Sequence, residues 1–66
     1  MEVKLLADLA ETMGLTIAET VALPTVVEVA ARKVGMSRWN MIREMQSNAA
    51  LRDYLKTACA EGAKVL

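Results

Sequence analysis

Val29-Ala30-Ala31-Arg32-Lys33-Val34-Gly35-Met36-Ser37-Arg38-Trp39-Asn40-Met41-Ile42-Arg43 is the segment that settles the architecture of this chain. It carries a small residue, Ala31, four places before Gly35, followed by the apolar Met36 and the hydroxyl of Ser37. A helix that stops in a short turn needs a residue at positive φ just past its last turn, which glycine supplies without strain. The helix that follows needs a side-chain oxygen to accept the orphan N–H groups of its first turn. The spacing therefore predicts two helices in a hairpin, one stopped by Gly35 and the next running from Arg38 to about Gln46.

Outward from this hairpin the helical pattern continues in both directions. Thr25 and Glu28 have the spacing of a capping box, and Val26, Val27, Val29, Ala30, Ala31 and Val34 make the helix before Gly35 apolar almost all round. The β-branched run Thr25-Val26-Val27 also suits a strand, but Ala30-Ala31 and the Glu28 to Arg32 pair at i,i+4 favour helix. Thr16 and Glu19 form an earlier box, predicting a brief helix over Ile17 to Leu23 that Pro24 ends. Before it, Val3, Leu6, Leu9, Ala10 and Met13 recur at three and four, giving a first helix over residues 2 to 13 stopped by Gly14. Downstream, Ser47-Asn48 offers a further cap and Leu51, Tyr54, Leu55 and Ala58 form a stripe ending near Gly62, the longest helix expected. The junction at residues 46–49 lacks Gly and Pro, so one bent helix from Arg38 to Glu61 is an alternative. Residues 9–16 and 30–37 echo one another as A-x-x-x-G, apolar, hydroxyl, which any helix stop followed by a capped start would generate.

The expected fold is thus all-α, a single small domain over residues 1–66 with four to five short helices and a helix-turn-helix-like central hairpin. Composition agrees: 55% of residues are hydrophobic but only 3% aromatic with no Phe, so the core is built from Ala, Val, Leu and Met, and no period-two alternation marks a sheet. With no His and one Cys, the ordinary zinc sites, His-based triads and an internal disulfide are all excluded. The carboxylates are scattered rather than paired, so no catalytic, metal or cofactor site is expected and the chain reads as a non-enzyme. Cys59 falls beside the Leu51–Ala58 stripe, as a buried thiol would, and Met13, Met36, Met41 and Met45 read as core filler. Met1-Glu2-Val3-Lys4 lacks a basic flank and no apolar run approaches a membrane span, which favours a cytoplasmic location.

Zero net charge conceals an asymmetry. Residues 1–30 carry five acids against Lys4, whereas residues 31–66 carry seven bases against three acids. Arg32, Lys33, Arg38 and Arg43 follow one another with no acid until Glu44, as a phosphate-facing surface requires. On a helical wheel Met41, Ile42 and Met45 share one arc and Asn40, Arg43 and Ser47 the opposite one. Asn can pair with adenine and Arg with guanine through two hydrogen bonds each, so the outward arc suits base edges. Trp39 sits at the boundary of the arcs and reads as a core anchor.

Residues 29–43 resemble the helix-turn-helix of bacterial and phage DNA-binding regulators, through Ala31, Gly35, Met36 and Ser37. The apolar positions of the second helix, Ile42 and Met45, come one residue late against that pattern. The resemblance implies a transcriptional regulator or accessory protein that binds double-stranded DNA as a homodimer. Arg32, Lys33 and Arg38 would hold phosphates, and Asn40, Arg43 and Ser47 would face bases, with Ser37 at the start of the reading helix. A small core also favours self-association on general grounds. Val21-Ala22-Leu23-Pro24 with Gly35-Met36-Ser37-Arg38 resembles instead a ribbon-helix-helix repressor, which would make Thr20 to Leu23 a strand. A third alternative is a helical protein-interaction module without nucleic acid, docking through Trp39, Met41 and Met45. A pI near 6.2 suits that alternative, since DNA-binding domains are commonly basic.

Overall fold

The computed structural model describes the backbone of residues 2–65 and the side chains of 4–64, so Val3, the first of the expected apolar positions, lies outside the described side chains. Its elements are α1 (Glu2–Met13), α2 (Ile17–Lys33), α3 (Arg38–Ser47) and α4 (Ala49–Val65), and no strand occurs among the described residues. The all-α class is as expected, with four helices.

The two echoing segments are two copies of one local device. Gly14 and Gly35 both adopt positive φ, 70° and 69°. In the first, the Gly14 N–H donates to Glu11 O at 3.1 Å and the Leu15 N–H to Ala10 O at 3.0 Å. In the second, the Gly35 N–H donates to Arg32 O at 3.3 Å and the Met36 N–H to Ala31 O at 2.9 Å. Each turn thereby satisfies carbonyls that the ending helix leaves without partners. A hydroxyl then opens the next helix. Thr16 Oγ1 accepts the Glu19 N–H at 3.1 Å while Glu19 Oε1 accepts the Thr16 N–H at 2.9 Å, and Ser37 Oγ accepts the Asn40 N–H at 3.1 Å.

The ends of helices at Leu23 and Gly62 differ from expectation, whereas the cap at residues 47–48 forms as expected. Pro24 lies inside α2 instead of ending a helix at Leu23, and Thr25 and Glu28 are mid-helix residues rather than a second box. A mid-helix proline forfeits one hydrogen bond and strains the preceding turn at a cost of about 3 kcal/mol. Leu23, Val27 and Ala31, at four-residue spacing, form one buried stripe that runs across it, and Leu23 and Val27 are fully buried. Burying two such side chains contributes about 1.5–3 kcal/mol each, enough to hold the helix continuous past Pro24. Asn48 separates α3 from α4: its backbone is extended, and its Oδ1 accepts the Leu51 N–H at 3.1 Å. The single bent helix is therefore not formed. Gly62 continues α4 rather than stopping it, and it faces Ala22 of α2, where an added Cβ would stand at an ordinary contact distance of 3.5 Å.

The core draws on every helix: Leu6, Leu9, Ala10 and Met13 from α1; Leu23, Val27 and Ala31 from α2; Met41, Ile42 and Met45 from α3; Leu55 and Cys59 from α4. Met36 packs against it from the turn. Two expected core residues lie outside: Tyr54 is 61% and Trp39 46% exposed. The stripe on α4 passes instead through Leu51, Leu55 and Cys59, which places Tyr54 on the flank. Arg52 joins α4 to α3 by donating from Nη1 to Met45 O at 2.7 Å. No described helix is long and apolar enough to cross a membrane.

Candidate nucleic-acid interface

The position of α3 follows from its amphipathicity. Met41, Ile42 and Met45 anchor one side in the core, which turns the opposite side outward. Asn40, Arg43 and Ser47 are all exposed there and line one shallow hollow together with Met36 and Glu44. Their spacing of three and four places the three polar groups on consecutive turns of one face. The hollow thus presents an amide, a guanidinium, a hydroxyl and a carboxylate side by side.

The other sequence-predicted residues are less closely grouped. Arg38 occupies the first helical position of α3 and is exposed. Ser37 is committed to the cap, its Oγ already accepting from Asn40. Arg32 pairs with Glu28 at 3.5 Å across one turn of α2, with both side chains largely exposed, so the pair is weak and the guanidinium can exchange partners. Lys33 lines a different hollow, between α2 and α4, where Tyr54, Val29 and Ala58 are its neighbours. The structure therefore groups Asn40, Arg43 and Ser47 and sets Lys33 apart from them.

Glu44 is a member of the hollow that sequence reasoning passed over. Its signal was available, since it follows Asn40 by four residues and so shares that side of the helix. A carboxylate repels phosphates but accepts a hydrogen bond from the amino group of cytosine, which fits a base-facing position better than a backbone-facing one. Met41 and Met45, enlisted by the protein-interaction alternative, are 4% and 0% exposed, so of that set Trp39 alone reaches the surface. Thr20 to Leu23, the strand of the ribbon-helix-helix alternative, lie within α2.

Among the described residues no group of three or more His, Cys, Asp or Glu side chains is placed to hold a metal ion. Cys59 is fully buried, and burial, with a smaller push from the charge of Glu19, raises its thiol from 9.0 to about 11. It has the character of a core residue rather than a nucleophile. No protein-family model, curated protein or solved structure matches the chain.

Proposed function

We propose that this protein binds double-stranded DNA as a small regulator or accessory factor, with α3 as the reading helix and two copies acting together. The observation that carries the proposal is the shared outward face of Asn40, Arg43 and Ser47 on a helix whose opposite face is locked into the core. A rigid, surface-mounted helix with amide and guanidinium groups on successive turns suits the major groove, where both side chains can make two-point contacts to base edges. Arg38, at the start of α3, and Arg32, near the end of α2, would supply phosphate contacts.

The test is a fluorescence anisotropy titration of the full chain with duplex DNA, first random sequence at low and moderate salt, then a site selected from a random pool. Arg43→Ala costs about 1–3 kcal/mol on the selected site with little loss on random duplex, the signature of a lost base contact. Arg38→Ala weakens both duplexes alike and lowers the salt slope by about one contact. Absence of binding to any duplex at low salt refutes the proposal. A protein-interaction role then takes its place, supported by the half-exposed indole of Trp39 and by Val34, which is 65% exposed.

A further inference from the structure

Helices α2 and α4 run antiparallel, since Gly62 lies against Ala22 and Val26 while Tyr54 and Leu55 line a hollow with Val29 and Lys33. That hollow is open to solvent and mostly apolar, with Val26, Val29, Ala58 and the ring of Tyr54 along its walls. The α2 side continues as a row at four-residue spacing, Val21, Thr25, Val29 and Lys33, of which Val21 is 65% and Val29 44% exposed. On α4, Tyr54, Ala58 and Glu61, spaced four and three apart, share one side. The strip therefore has a base at one end, Lys33, and an acid at the other, Glu61, with apolar surface between.

We propose that a second copy of this chain covers this strip, related by a two-fold axis that sets Lys33 of each protomer against the partner's Glu61. An isologous contact must match itself after a half-turn, and a strip with opposite charges at its ends does so, the base–acid pair occurring twice per dimer. The same half-turn brings the protruding Tyr54 of one copy over the Ala58 hollow of the other. Glu61 already pairs with Lys64 at 3.7 Å, but both side chains are about 70% exposed, and so loose a surface pair yields readily to a new partner. A specific interface of ordinary size takes about 800 Å² from each partner. This is roughly a fifth of the chain's 4399 Å², and the strip that would supply it runs from Val21 to Lys33 on α2 and from Tyr54 to Glu61 on α4. The proposal supplies the surface for the two-copy part of the function above and rests on that part alone, not on DNA binding.

Sedimentation equilibrium of the full chain without DNA tests it. The wild type dimerises at micromolar concentration. Lys33→Glu and Glu61→Lys each raise the dissociation constant about tenfold by placing like charges together, and the double exchange K33E/E61K restores it to near the wild-type value. Val29→Asp, at the centre of the strip, raises it about a hundredfold, and circular dichroism confirms that the helices persist. A monomeric wild type, single exchanges without effect, or a double exchange that fails to restore association each overturns the proposal. Arg43→Ala leaves association unchanged while altering DNA binding, so failure of the dimer and failure of the DNA reading are separately visible.

Discussion

Replacing each glycine by alanine, one at a time, adds the same methyl group in three settings and has opposite consequences in them. Gly35 sits at φ +69° with nothing within 4 Å of an added Cβ, so Gly35→Ala meets no steric neighbour and only the backbone objects. Holding an L-residue in the left-handed region costs about 1–2 kcal/mol, and the stiffer unfolded chain returns about 0.4–1 of it, leaving a net loss near 1 kcal/mol. Gly14, at φ +70° with only Lys56 Nζ 3.9 Å away, carries the same cost. Gly62 is helical, and its added Cβ would stand 3.5 Å from Ala22 Cβ and 3.9 Å from Val26 Cγ2, ordinary contact distances. Gly62→Ala therefore gains the helical preference of alanine, about 0.5–1 kcal/mol, and adds contact between α2 and α4. Urea unfolding followed by circular dichroism measures all three, with the slope m held as a check that the unfolded state is unchanged. For a domain of this size 1 kcal/mol moves the Tm by about 4–8 °C, so Gly35→Ala and Gly62→Ala diverge in opposite directions by a readily measured amount. A neutral Gly35→Ala, or a Gly62→Ala as damaging as Gly35→Ala, would refute the account of both turns and of the α2–α4 approach.

Pro24→Ala restores the hydrogen bond α2 lacks and relieves its strain. It raises stability by about 2 kcal/mol after allowance for the freer unfolded chain, and a lower urea midpoint would count against a continuous α2. Cys59 sets an alkaline limit. The unfolded thiol ionises near 9.0, while the folded one keeps its proton to about 11, so its contribution is intact below pH 9 and declines as pH rises through that interval. Cys59→Ala removes this part of the pH slope whatever it costs in packing, and identical slopes in the two proteins would show that the thiol is not held protonated by the fold.

Legibility in the sequence tracked how local the governing physics was. The turns at Gly14 and Gly35 and the caps at Thr16 and Ser37 are decided within six or seven residues, and the chain forms them where the pattern places them. Pro24 lies inside a helix because its local penalty is overridden by Leu23 and Val27, whose burial comes from the core they share with the other helices and has no signature in the neighbouring residues. Trp39 and Tyr54 failed for a related reason. Size and apolarity argue for burial, but each stands one residue off the stripe that faces the core, and a wheel resolves such positions poorly. In the hollow on α3, Asn40, Arg43 and Ser47 were legible from spacing. The separation of Lys33 from them was not, since it depends on how α4 lies along α2.

The junction at Asn48 ties the behaviour of α3 to a helix with which it shares no part of the hairpin. A single residue separates the two, and the Arg52 guanidinium grips Met45 O from the far side of that residue. Opening the last turn of α3 releases this bond and exposes Met45, while fraying the first turn of α4 withdraws the same guanidinium. The last turn of α3 and the first turn of α4 are therefore expected to exchange their amide hydrogens together, which hydrogen–deuterium exchange would read directly. A ligand that steadies the outer face of α3 would thereby slow exchange at the start of α4, some distance from anything it touches.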